Sequence, residues 1–307
     1  MTSALRPMST GEVLDRTFNL YRNNFQLFAG ISTIFSLLSL IGVLAAFIVG
    51  VGAPGVATDL RNPGSLIGFV IVVFVGFVFF YLIGYALSMG ATVYGVSQVH
   101  LGNRTTIKEC YRRIRPQMWT IIRVINSVFW RIVGASLLSY LLVILLAFAA
   151  VAVGAGGLAL VIGSCGVIVG IGWVLSIVCK YALAVPACLL EKVKGGAALQ
   201  RSRQLAQGSL FRIFIVLLLV GVLNYAFSYA LQYPGRIFAG TPSLFIGWNL
   251  LASFIASTLS FPIGNIAYSL LYYDQRIRKE AFDLQLMMEA VGEAPQGQSA
   301  AAAPSIG

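Results

Sequence analysis

The sequence predicts an all-α polytopic membrane protein, with six transmembrane helices and amphipathic helices at the interface. Three observations carry this. Six apolar runs are long enough to cross a bilayer, which takes about 20 residues at ~1.5 Å of helical rise each. Charged residues make up 10% of the chain against 58% hydrophobic, with a mean hydropathy of +0.87; a soluble domain carries roughly 25% charge. Finally, of the 21 Lys and Arg, only Arg61 and Arg236 fall in the segments after the first and fifth spans. Lys and Arg are retained on the cytoplasmic side. Both termini are therefore expected in the cytoplasm, in a plasma or inner membrane.

The net charge of +11 bounds the partners. The cations flank apolar spans, which suits anionic lipid headgroups rather than nucleic acid. The four cysteines show no ligand-type spacing, and Cys165, Cys179 and Cys188 sit in apolar runs as small hydrophobes. Neither a disulfide nor a metal site is expected.

Taken in order, residues 1–26 form a cytoplasmic segment. Ser9 and Glu12 make a capping-box start, and Val13, Leu14, Phe18, Tyr21 and Phe25 recur at helical spacing. The membrane domain is expected over 27–291. Its first span runs from about Ala29 to Val49, followed by a Gly/Pro loop with Asp59 on the outer side. The second, Leu66 to about Val99, exceeds one crossing unless it tilts or projects, and Gly84, Gly90 and Gly95 offer bend points. His100 ends it as a headgroup anchor.

A basic cytoplasmic loop, about 100–127, holds the amphipathic stretch Arg104 to Trp119, with Pro116 a breaker. The third span is placed at Ile132 to Val153, with Arg123 and Arg131 ahead of it to reach phosphates. A short Gly-rich link makes spans three and four a tight hairpin. Span four, Leu158 to Leu190, carries Gly166-x-x-x-Gly170, which allows close helix contact. A second cytoplasmic loop, about 191–212, contains another polar helix. Span five is Ile213 to about Gln232, and Leu244 to Tyr273 forms the sixth. An amphipathic helix over 281–291 and a disordered tail over 292–307 close the chain. Three times a polar helix with an arginine (Arg16, Arg112, Arg201) precedes two spans, which suggests a repeat.

Few residues could carry chemistry. With ten carboxylates and one His, no Ser-His-Asp set, phosphate loop or ligand cluster forms, so no catalytic residue and no cofactor is assigned. Lys180 lies deep in span four, as a headgroup site or a side chain folded back to the interface. Asn224, Asn249 and Asn265 are candidates for interhelical amide bonds. Pro186 and Pro262 each remove a backbone hydrogen bond, making Pro262 the most irregular point of the last span. Asp274 and Arg278 are spaced to pair along a helix, as are Lys279 and Asp283. Glu191 and the pair Arg276 and Arg278 sit at one depth, so a latch from Glu191 to Arg276 or Arg278, joining spans four and six, is expected.

The segments LRPMSTGEVLDRTFNLYRNNF, PACLLEKVKGGAALQRSRQLAQGSLFRIF and LLYYDQRIRKEAFDLQLM resemble bacterial membrane proteins named for the membrane domain of glycerophosphoryl diester phosphodiesterase. The resemblance covers about residues 5–290 and is most specific from Tyr272 to Gln285. It implies a six-span membrane domain, which in that family is sometimes joined to a soluble phosphodiesterase barrel and often stands alone. A barrel takes ~200 residues or more, for which this sequence has no room. The resemblance implies no catalytic residues.

Three functions remain, in order. The first is a non-enzymatic membrane module binding lipid or a membrane-protein partner. The second is a transporter or lipid translocator, motivated by the repeat, Lys180 and the irregular last span. The third is an intramembrane enzyme on lipid phosphodiesters, for which Asp274, Glu191 and Lys180 would have to converge.

Overall fold

The computed structural model describes residues 8–52, 63–100 and 102–280. Asp59, Asp283, the 281–291 helix and the 292–307 tail lie outside them. The helices are α1 (Thr10–Asn23), α2 (Phe25–Gly52), α3 (Pro63–His100), α4 (Ile107–Ile114), α5 (Met118–Ala152), α6 (Gly156–Tyr181), α7 (Ala184–Leu190), α8 (Gly196–Ala206), α9 (Leu210–Gln232) and α10 (Pro242–Glu280). A one-turn 3₁₀ segment precedes α5 and a two-turn one follows α9. The described residues contain no strand, and six stretches are long and apolar enough to cross a membrane. The protein is an all-α, multi-pass membrane protein.

The three-fold pattern of the sequence is visible as α1 before α2 and α3, α4 before α5 and α6, and α8 before α9 and α10. Helix α1 begins with the expected capping box: Ser9 Oγ accepts the Glu12 N–H, and Glu12 accepts the Ser9 N–H. That satisfies two backbone donors that the first turn cannot satisfy itself.

Helix α10 is the central post. It packs against α9, α2, α1, α3, α7 and α8. At 39 residues it is ~58 Å long, nearly twice the ~30 Å hydrocarbon core. Helix α3, with 38 residues, is almost as long. The excess length is used at one end. Met89, Val93 and Val96 of α3 are buried there, as are Ile266, Leu270, Leu271 and Ile277 of α10. The short helices α1, α4, α7 and α8 pack around these ends. At the other end the spans expose apolar faces, as in Ile71, Phe74 and Leu160, which suits lipid. Met8, at the start of the described chain, bonds Asp274 near the end of α10. The first and last described segments therefore meet at the basic end of the bundle.

Several boundaries differ from the sequence reading. The third span starts at Met118 rather than Ile132, because only a 3₁₀ turn holding Pro116 separates α4 from α5. Much of the 100–127 loop is thus helical. The fourth span is divided: α6 ends at Tyr181 and α7 starts at Ala184. Pro186 is the third residue of α7, where a backbone N–H has no intrahelical acceptor in any case, so the break accommodates the ring. Pro262, in contrast, lies inside an unbroken α10, which removes the irregular last span as support for transport. Helix α3 also runs unbroken, and two of its glycines are contact points. Gly84 faces Phe35 and Leu38, and Gly90 faces Ile121.

The α5–α6 hairpin closes at Gly154, whose φ of +81° suits glycine. Gly166 and Gly170 set its spacing as expected. A Cβ on Gly166 would lie 2.4 Å from Val143 Cγ2, and one on Gly170 3.2 Å from Ser139 Oγ.

Candidate functional site

Two polar clusters occupy the basic end of the bundle, both built on the last turns of α10. In the first, Asp274 is completely buried. Its Oδ1 accepts the Met8 backbone N–H at 2.7 Å. Its Oδ2 faces Arg212 Nη2 and Arg278 Nε, each at 3.0 Å. Both guanidinium groups also donate to the Met8 carbonyl. A buried carboxylate needs this many donors, because desolvating an unpaired charge costs several kcal/mol. Asp274 thereby ties the N-terminal segment, α9 and α10 together. The Asp274–Arg278 pair is the one its helical spacing predicts. Arg212 is a partner that the sequence reading missed; its only signal is a lone cation in the first turn of an apolar span.

In the second cluster, Glu191 caps the end of α7. Arg201 Nε donates to both of its oxygens, at 3.0 and 2.8 Å, and the Tyr272 hydroxyl donates to Oε1 at 2.7 Å. Arg201 also pairs with Glu280, which accepts from Arg276 Nε at 3.1 Å. Partial burial opposes the charge on Arg201, but the hydrogen bonds and charges of Glu191 and Glu280 outweigh it and raise its pKa. The result is a chain from Tyr272 through Glu191, Arg201 and Glu280 to Arg276, linking α7, α8 and α10.

This corrects the expected latch. Glu191 joins span six, but through the Tyr272 hydroxyl, and its ion pair is with Arg201 instead of Arg276 or Arg278. Helix α8 folds back so that Arg201, ten residues on, reaches the carboxylate first. The two α10 arginines meanwhile take acids one turn away on their own helix, Glu280 and Asp274. Lys279 donates to the Gln204 and Gln207 carbonyls at the end of α8, where a cation is favoured.

The remaining candidates lie apart from one another. Lys180 is half-buried at the end of α6, and its carbonyl accepts the Ser202 hydroxyl at 2.8 Å. Its ammonium pairs with neither Asp274 nor Glu191, whose ion pairs are with arginines. Asn265 is buried with its Nδ2 unpartnered among the described residues, as are both amide atoms of Gln275. Asn249 bonds its own helix, at the Phe245 carbonyl. His100, expected among the headgroups, instead lies 3.3 Å from Arg16 Nη2 and stacks on Tyr273 with ring centroids 5.5 Å apart. It was missed as a packing residue because α1 and α10 are distant from it in sequence.

A third feature is a surface. Helix α4 buries Cys110 and Ile114, and its other side leaves Lys108, Arg112 and Arg113 exposed. Arg104 and Arg115, before and after the helix, are exposed as well. Trp119, in the first turn of α5, is 66% exposed. None of these cations forms an ion pair with a carboxylate of the described residues. Arg131, further along α5, is exposed with its guanidinium 5.0 Å from the centre of the Tyr181 ring. The cations of the two clusters are all paired with carboxylates. The face around α4 has charge to spare for a ligand. Comparisons with known protein families, curated proteins and solved structures find no match for this chain.

Proposed function

We propose that the protein is a non-enzymatic membrane module that binds anionic lipid headgroups through the face around α4. One observation carries the reading: Arg104, Lys108, Arg112, Arg113 and Arg115 are exposed without a carboxylate partner among the described residues, beside an exposed Trp119. Each cation near an anionic leaflet contributes about 1 kcal/mol, and Trp favours the headgroup level. The basic end is then cytoplasmic, with both termini on that side of a plasma or inner membrane. The resemblance to the phosphodiesterase membrane domain, where that domain stands without its barrel, agrees with this reading. The lipid-facing α5–α6 hairpin is the surface it would offer to a membrane-protein partner.

The test is purification in mild detergent followed by lipid mass spectrometry. Wild type should retain anionic over zwitterionic phospholipid beyond their ratio in the membrane. With Lys108, Arg112, Arg113 and Arg115 all changed to Gln, that enrichment should fall about fivefold or more. Unchanged enrichment in a folded quadruple variant would refute the reading.

A further inference from the structure

At the end of the bundle opposite the ion pairs, α2, α9 and α10, with Tyr81 of α3, line an open pocket of about 400 Å³. The sequence of α9 already aims polar groups at it: Asn224, Ser228 and Gln232 recur every four residues and so share one helical face. Helix α2 contributes Ser36 and Ser39. Helix α10 contributes Ser257, whose hydroxyl bonds Ser36 Oγ at 2.9 Å across the cavity wall. Three helices of a membrane bundle thus turn hydroxyls and amides toward a common space. Phe35 and Phe261, stacked at 4.2 Å, close it toward the basic end.

Two of the lining atoms, Ser39 Oγ and Asn224 Oδ1, are buried with no hydrogen-bond partner among the described residues. Orphaned polar atoms cost about 1–3 kcal/mol each, and inside a bilayer no bulk water relieves them. The volume falls in the range of ligand sites, roughly 300–1,000 Å³. Among the described residues, the lining contains no Lys, Arg, Asp, Glu or His. A phosphate or an ammonium would therefore be desolvated there without a counter-charge, at a cost of several kcal/mol. Hydroxyls and amides both donate and accept, which matches a ligand that does the same. Leu40, Val43 and Phe254 on the same walls suit a hydrocarbon portion.

We propose that this cavity binds an uncharged, hydroxyl-bearing ligand, either the headgroup of a neutral acylglycerol entering from the bilayer or a free polyol entering from the aqueous side. The site is separate from the cationic face around α4 and differs from it in ligand charge. Asn224 and Ser39 supply the hydrogen bonds that orient the hydroxyls.

The experiment uses full-length protein in nanodiscs of dioleoylphosphatidylcholine, with a photoactivatable dioleoylglycerol as probe. Labelling should be saturable and should map to α9 and α10 peptides lining the cavity. Competition by unlabelled dioleoylglycerol assigns the membrane source, and competition by free glycerol assigns the aqueous one. Asn224→Leu should reduce labelling about three- to tenfold, the loss of roughly one neutral hydrogen bond. Ser39→Ala, which removes little volume, should reduce it about two- to fivefold and serves if Asn224→Leu does not fold. Changing Lys108 and Arg112 to Gln should leave labelling intact, which separates this site from the headgroup reading. The proposal is overturned if neither compound competes, if phosphatidylglycerol competes as well as dioleoylglycerol, or if both cavity variants label like wild type.

Discussion

Replacing Asp274 by Asn removes one negative charge from a site that holds two guanidinium groups. The carboxylate is fully buried, and Arg212 and Arg278 each approach it to 3.0 Å. A unit pair at that distance in an effective dielectric of 20 is worth about 5 kcal/mol. Most of this is offset by the cost of desolvating the carboxylate and by repulsion between the two arginines. The arginine side chains remain 21% and 33% exposed, so water can partly compensate them in the variant. Asn keeps an acceptor for the Met8 N–H but turns a donor toward both arginines. The net loss is therefore placed at about 2–4 kcal/mol, at or below the usual range for breaking a buried pair. Thermal unfolding in detergent, followed by intrinsic fluorescence, should show a midpoint lowered by about 5–10 °C. Adding Arg278→Gln to Asp274→Asn should cost less than Arg278→Gln does alone, since only its bond to the Met8 carbonyl is left to lose. Strictly additive losses, or a single variant as stable as wild type, would refute the account of Asp274 as the tie between the N-terminal segment, α9 and α10.

Three further outcomes are expected. Glu191→Gln and Tyr272→Phe should each destabilise by about 1–3 kcal/mol and show strong coupling in a double-mutant cycle, whereas Glu191→Gln with Arg278→Gln should be additive within about 0.5 kcal/mol; coupling to Arg278 instead would restore the original latch. Gly166→Ala should lower the midpoint by overpacking the α5–α6 contact, at a cost of about 1–3 kcal/mol, and Val143→Ala should recover most of the loss; no recovery would mean the contact is not limiting. Impermeant thiol labelling of single-cysteine variants in intact cells should reach Asp59→Cys and not Lys194→Cys, and the reverse pattern would invert the cytoplasmic assignment of the basic end. Gln275, fully buried, is unsuitable as a probe position for that experiment.

Local and compositional properties were legible from the sequence because they depend on neighbours along the chain. Apolar run lengths predicted six spans, since a bilayer requires about 20 apolar residues whatever the tertiary contacts. The Ser9–Glu12 box, the Asp274–Arg278 pair and the Gly166–Gly170 contact were also legible, each involving residues within one turn or one tight hairpin. Helix interruptions were less so. Pro116 and Pro186 sit at breaks while Pro262 does not, because neighbouring helices decide whether a lost backbone bond is tolerated. Only the tertiary structure decided the partners. Asp274 meets Met8 across 266 positions, and Glu191 meets Tyr272 across 81. Charge sign and depth showed that Glu191 needed a cation or donor, but several were available at that depth. The choice among them depended on α8 folding back to present Arg201, and on Arg276 and Arg278 being taken by acids on their own helix. The polar cavity was hidden for the same reason: each of its serines reads alone as a tolerated polar residue in a span, and only the convergence of α2, α9 and α10 makes them one surface.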